Sequence, residues 1–320
     1  MRAGSKNVLA LSGGVGGAKL ALGLYDTLGE DALDVVVNTG DDFTHLGLHI
    51  SPDIDTVLYT LGGLSDEERG WGLADETWQA MTHMETLGGD TWFRLGDRDL
   101  ATHLWRTARL NAGESLTRVT AGLASSLGVK AGILPMSDDP VRTTVHTDIG
   151  ALPFQHYFVK EQCRPAVTGF DFEGIAAARP NPALMQALEA DAYGALVVCP
   201  SNPFVSVDPV LRLPGLCEGL KRADMPVVLV SPIVGGVALK GPAAKMMGEL
   251  SVPVTAEAVA GHYCANYPGL MDYFVIDESD ATLASSIEAM GVATIVTKTV
   301  MKTRSDKQAL AQTLLTQVLG

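Results

Sequence analysis

Hydrophobic positions along this chain fall in short unbroken runs and not in strict alternation. Val8–Leu11, Asp34–Val37, Val129–Leu134, Tyr193–Val198, Pro226–Val230, Asp272–Ile276 and Ala293–Thr297 are such runs. They suit strands buried on both faces, as in a parallel sheet. Helix-compatible stretches lie between them: Ala18–Leu28, one starting at Pro52, one carrying Arg106 and Arg109, then Gly113–Leu127, Pro182–Ala190, Thr282–Met290 and Asp306–Leu319. The alternation predicts an α/β fold with a doubly wound, mostly parallel sheet and helices on both faces. Between about 66 and 168 the spacing changes. Ser65–Leu87 is acidic and aromatic, with Trp71, Trp78 and Met84 on an amphipathic helix. Val141–Val145 and Phe154–Val159 read as short strands, and Gly169–Arg179 as a loop. The expectation is one α/β domain over 1–320, with a nucleotide-binding core at about 7–65 and 190–300 and a small inserted α+β segment at about 66–168.

The polar residues concentrate where the strands end. After Val8–Leu11 comes Ser12-Gly13-Gly14-Val15-Gly16-Gly17-Ala18-Lys19, which reads as strand, glycine turn and helix. Glycines let a backbone approach a ligand closely, and the unpaired amides opening a helix welcome an anion. A P-loop would need Gly-Lys-Ser/Thr, but Leu20 follows Lys19, so the magnesium-binding hydroxyl is missing. The dinucleotide pattern G-x-G-x-x-G begins with Gly14 and Gly16 but meets Lys19 where its third glycine belongs, which sets aside a dehydrogenase. A phosphate cradle of neither kind remains, against the plainer alternative of a tight turn without a ligand.

Asp34–Val37 leads into Asn38-Thr39-Gly40-Asp41-Asp42. At a strand's carboxyl end this acidic turn belongs beside the glycine loop, where paired carboxylates suggest Mg2+ entering with phosphates; a locally stabilised Asp turn is the alternative. Ser51-Pro52-Asp53-Ile54-Asp55 is a well-formed helix start. Residues two apart on a helix point to different sides, so one of Asp53 and Asp55 is expected to face the ligand. His45 and His49, lacking a third partner of metal-site spacing, read as lining residues. Leu95-Gly96-Asp97-Arg98-Asp99, preceded by Arg94, offers arginines suited to phosphate. Cys199-Pro200-Ser201-Asn202-Pro203 and Ser231-Pro232-Ile233-Val234-Gly235-Gly236, with Lys240 beyond, are further polar turns after strands.

Composition narrows the partners. The chain has 320 residues, a formal net charge of -14 and 47% hydrophobic residues, which argues against a general nucleic-acid binder. No run approaches the eighteen or so apolar residues of a membrane span. The N-terminal residues Met1–Lys6 do not make a signal peptide. Cys163, Cys199, Cys217 and Cys264 are widely separated, as expected for free thiols in a cytoplasmic protein.

Taken in order, these blocks resemble the 2-phospho-L-lactate transferase family, from about Val8 to Thr297. The resemblance implies a Rossmann-like nucleotide-binding fold and a role in making the deazaflavin coenzyme F-420. It implies a guanosine diphosphate-linked donor bearing a lactyl or enolpyruvyl group, the deazaflavin FO as acceptor, release of GMP, and Mg2+. It would place Gly13, Gly14, Gly16, Gly17 and Lys19 on the diphosphate, and Asp41, Asp42 and Asp53 on the metal and the attacking hydroxyl. Asp53 or Asp55 with Arg94 or Arg98 would meet the deazaflavin; Ser201, Asn202, Ser231, Gly235 and Gly236 would line the nucleotide site. Asp53, with Asp42, is the expected catalytic group, and a homodimer is expected. A regulatory protein that binds nucleotide sugars without turnover is the alternative.

Overall fold

The computed structural model describes residues 6–29, 31–238 and 241–319. The first five residues and Lys240 lie outside them. In chain order the elements are β1 (Asn7–Ser12), α1 (Gly14–Leu28), β2 (Leu33–Val37), a hairpin of β3 (Phe43–His45) and β4 (Leu48–Ile50), α2 (Pro52–Leu61), α3 (Gln79–Thr86), α4 (Asp97–Asn111) and α5 (Leu116–Ser126). Next are β5 (Gly132–Pro135), β6 (Arg142–Thr147), β7 (Gly150–Pro153), a π-helical turn His156–Lys160, β8 (Val167–Glu173), α6 (Pro182–Glu189) and β9 (Tyr193–Val198). A second π turn, Pro203–Val207, precedes α7 (Asp208–Leu211), α8 (Leu216–Arg222), β10 (Val227–Val230), the hairpin β11 (Ile233–Val234) and β12 (Val237–Ala238), α9 (Ala243–Glu249) and α10 (Ala256–Asn266). The series finishes with β13 (Tyr273–Asp277), the 3-10 turn Glu278–Leu283, α11 (Ala284–Glu288), β14 (Ala293–Thr297) and α12 (Arg304–Leu319).

Seven strands form one sheet in the order β14-β13-β10-β9-β1-β2-β5. Every pairing in it is parallel. Alternate residues of its strands feed two separate cores. Leu9, Leu11, Leu196, Val198, Phe274 and Ile276 face one side, covered by α6, α8, α9 and α10. Val8, Ala10, Val35, Val197, Val228 and Val275 face the other, against α1, α2, α5 and α12. That is the Rossmann-like, doubly wound arrangement. The strand order reverses between β1 and β9, so the chain turns opposite ways after these two strands, and the crevice in which such sheets bind ligands is at their carboxyl ends.

The segment at 66–168 departs from the expected insertion. β5 lies inside it yet forms the edge of the central sheet beside β2. Only the small antiparallel sheet β7-β6-β8 stands apart, and it runs on to Glu173. The expected strand Phe154–Val159 is instead mostly the π turn. Phe154 and Phe158, four apart, stack at 5.5 Å while Tyr157 is buried, a helical spacing that fits no strand. The expected loop from Gly169 holds β8, whose Phe170 and Phe172 alternate with acids and pair with β6. The helix expected within Ser65–Leu87 forms only as α3, with Trp71 stranded outside it on the surface. α1 begins at Gly14, four residues earlier than its apolar pattern suggested.

Candidate functional site

The glycine turn and the start of α2 meet at the crevice. Gly14 takes φ +66, and its amide donates to Asp53 Oδ1 at 2.7 Å. The Gly13 amide donates to Ser201 Oγ at 3.2 Å, tying β1 to the loop after β9. Close approach, more than conformational freedom, explains the other glycines. A Cβ at Gly16 would lie 2.5 Å from the Pro200 carbonyl oxygen, and one at Gly17 2.5 Å from Ser12 Oγ. Asp53 Oδ2 accepts from Asn38 Nδ2 at 3.0 Å, so β2's turn, α1's amino end and α2 converge on one carboxyl group.

That group stands in an acidic setting. Asp41, Asp42 and Asp53 are all buried. Asp42 Oδ2 accepts from Ser51 Oγ at 2.8 Å and lies 3.0 Å from His49 Nε2. Burial first, then the charges of Asp53 and Asp42, push the Asp41 carboxyl well above the usual carboxylate range. Burial likewise raises Asp53 from 3.8 to about 6, against the opposing hydrogen bonds from Asn38 and Gly14. Native Asp53 therefore keeps its proton to higher pH than the unfolded chain does. Its contribution to stability is present below about pH 4 and is lost as pH rises to about 6, on the order of 3 kcal/mol in all. Urea midpoints measured from pH 4 to 7 are expected to fall with rising pH by more in the wild type than in Asp53→Asn. Identical slopes would show that Asp53 titrates normally.

The two carboxylates of α2 divide as their spacing requires. Asp55 faces away from the glycine turn and is held by both terminal nitrogens of Arg106, a side chain of α4 with no exposed surface. Arg106 also meets His103 Nδ1 at 3.0 Å, and His103 Nε2 is 3.3 Å from Asp99. Tyr59 completes the chain by donating to Asp99 Oδ1 at 2.6 Å. Asp55 is thus tied to Arg106 as a structural anchor between α2 and α4. Arg94 and Arg98, expected at the acceptor, are not brought to Asp53. Arg94 is exposed with its guanidinium 5.1 Å from the Trp78 ring, and Arg98 donates to the Ala74 carbonyl at 3.0 Å. Both serve the segment before α3. The sequence marks Arg106 only as part of its helix, since nothing linear ties position 106 to position 55.

On the other side of the crevice, Asn202 caps the π turn through the Phe204 amide at 3.0 Å. The Ser231 hydroxyl is used within its own turn, donating to the Ile233 carbonyl at 2.8 Å. Gly235 and Gly236 have φ +56 and +76 in the β11–β12 turn and are exposed, with the Gly235 amide donating to Asp280. Lys19 lies in the second turn of α1 and donates to the Met301 carbonyl at 3.3 Å.

Residues 8–316 match the family described as 2-phospho-L-lactate transferase CofD. The chain belongs to the CofD family. It is 43% identical to a phosphoenolpyruvate transferase of Kitasatospora aureofaciens, over 89% of each chain. It is 38% identical to a 2-phospho-L-lactate transferase of Methanosarcina mazei, over 95% of this chain and 98% of that one. A solved structure from Bacillus halodurans, a member of the UPF0052 family, superposes with a TM-score of 0.65 at 16% identity, covering 97% of this chain and 99% of its own. That likeness concerns the fold. The family is one of transferases, so the chain is an enzyme of transferase type.

Within this CofD-family site, oxygens await partners. Ser12 Oγ, Thr39 Oγ1, Asp41 Oδ1, Asp42 Oδ1 and Thr143 Oγ1 are buried without a hydrogen bond. Among the described residues no three His, Cys, Asp or Glu side chains group to hold a metal by themselves; both Asp53 oxygens are already bonded. A hard cation fits in a narrower way. Magnesium commonly takes one or two carboxylates and completes its shell with water and substrate phosphate, and Asp41 Oδ1 and Asp42 Oδ1 are free for that. No helix of the described residues is long and apolar enough to cross a membrane.

Proposed function

We propose that this protein transfers a phosphorylated three-carbon acid, lactyl or enolpyruvyl, from a guanosine diphosphate-linked donor to the side-chain hydroxyl of the deazaflavin FO, releasing GMP, as a step in making coenzyme F-420. The observation that carries the reading is the convergence of α1's amino end, the acidic turn and Asp53 at the strand-order reversal. Phosphoryl transfer asks chiefly for positioning and charge neutralisation. With the Gly13 and Gly14 amides held by Ser201 and Asp53, the later amides of the α1 amino end, at Val15 to Gly17, would seat the diphosphate. Asp41 and Asp42 would hold Mg2+, which when bound offsets phosphate charge.

The acceptor oxygen bonds to the phosphorus bearing the three-carbon acid, the P–O bond to GMP breaks, and Asp53 takes the acceptor's proton. A carboxyl titrating near 6 is suited to that work at neutral pH. Beside the acidic turn, Phe43, His45, Trp92, Phe93 and His156 form a connected ring cluster with centroids 4.7 to 6.2 Å apart. Such a cluster suits a flat aromatic acceptor. The named relatives differ in which acid they carry, so both donors belong in the test. The protein, FO, Mg2+ and each guanylylated donor are incubated and the product mass read; one donor is expected to give the phosphodiester of FO plus GMP. Absence of product with either donor, alongside tight binding of a nucleotide sugar, would replace the transferase with the regulatory reading.

A further inference from the structure

The fifth unpaired oxygen of the site comes from a part of the chain that no sequence block singled out. Thr143 stands near the start of β6, and its amide donates to the Gly40 carbonyl at 2.8 Å, fastening the small antiparallel sheet to the acidic turn. The residue is 2% exposed and its hydroxyl has no partner among the described residues. The hydroxyl lies 2.7 Å from the point a Cβ on Gly40 would occupy, and Asn38 Oδ1 lies 3.0 Å from that same point. A side chain at position 40 would strike the Thr143 hydroxyl and crowd Asn38, so Gly40 lets that hydroxyl pack directly against the backbone immediately before Asp41.

Asn38 Oδ1 receives the Gly40 amide at 2.8 Å, and the Thr143 hydroxyl makes no hydrogen bond to it or to any other described group. A buried hydroxyl left unpaired destabilises the fold that contains it. Valine of nearly the same shape would fill the position without that cost. Retaining threonine makes sense where a ligand completes the hydrogen bond. Beside the carboxylates of this wall, which repel phosphate, a neutral hydroxyl is a donor to a phosphoryl oxygen that adds no further charge. The glycine turn lacks the hydroxyl that a P-loop carries after its lysine.

We propose that the Thr143 hydroxyl donates a hydrogen bond to a phosphoryl oxygen of the bound substrate, which makes the β7-β6-β8 sheet a contributor to the diphosphate site. This rests on the transferase reading above. The test compares wild type, Thr143→Val and Thr143→Ser by thermal unfolding without ligand, and by calorimetric binding of magnesium pyrophosphate, magnesium GDP and Mn2+ alone. Thr143→Val is expected to unfold at or above the wild-type temperature, yet to bind both phosphate ligands about tenfold to a hundredfold more weakly, the range for a hydrogen bond to a charged group. Thr143→Ser should restore most of that affinity, and Mn2+ binding should be the same in all three. Equal phosphate affinity in Thr143→Val would overturn the proposal. So would a destabilised Thr143→Val, which would give the hydroxyl a protein partner, or weakened Mn2+ binding, which would place it on the cation. If the pyrophosphate difference holds while the wild type transfers nothing to FO, the transferase reading fails and the phosphate contact stands.

Discussion

Asp53→Asn is expected to lower the rate of transfer to FO by about a hundredfold to ten-thousandfold, the range for losing a general acid–base group, while nucleotide binding is retained. The separation follows from the geometry. Asparagine keeps an acceptor for the Gly14 amide, so the amino end of α1 stays closed by α2. Its amide nitrogen would face Asn38 Nδ2, but that group also reaches the Val205 carbonyl at 3.3 Å and retains a partner. Burial raises the carboxyl's titration to about 6, so neutralising it removes an energetic burden above that pH and the variant should fold. What it loses is the ability to accept the acceptor's proton. Turnover within a factor of a few of wild type, measured with the donor that the product assay selects, would remove Asp53 from the catalytic step and leave it as the closure of the α1 amino end.

Arg106→Met is expected to cost about 3 to 5 kcal/mol of stability, the range for breaking a buried ion pair by deleting one partner. Asp55 is left buried without its bidentate partner, and His103 loses a neighbour that fixes its ring. Changing both residues should hurt less than the two single changes combined, because the second removes the charge that the first strands. Asp55→Leu with Arg106→Met therefore forms the control, read as urea midpoints at pH 7 for the two singles and the double. A single Arg106→Met within about 1 kcal/mol of wild type, as for an exposed ion pair, would show that water reaches Asp55 and that the pair does not hold α2 to α4. The comparison bears on function because Asp53 and Asp55 share one helix: the pair fixes the rotation that aims Asp53 at Gly14.

Much of this architecture was legible in the chain. Unbroken apolar runs can be satisfied only by strands covered on both faces, which determined the parallel sheet, its two helical layers and the crowding of polar turns at the carboxyl ends. The glycine turn, the acidic turn and the Ser51-Pro52 helix start are local signals, carried by residues a few positions apart, and they marked the two sides of the site. Helical geometry even required Asp53 and Asp55 to part. Which of them faced the crevice was decided by Arg106, a residue 51 positions from Asp55 whose role depends on side chains of α4 reaching α2. The same holds for Arg94 and Arg98, drawn outward by Trp78 and the Ala74 carbonyl, and for β5, placed in the central sheet by its pairing with β2. Thr143 reaches the acidic turn only because β6 folds back onto Gly40. Linear spacing encodes faces and caps; the partner of a buried charge or hydroxyl is set by which elements meet in space, and that is where the site acquired its anchor and its unpaired donor.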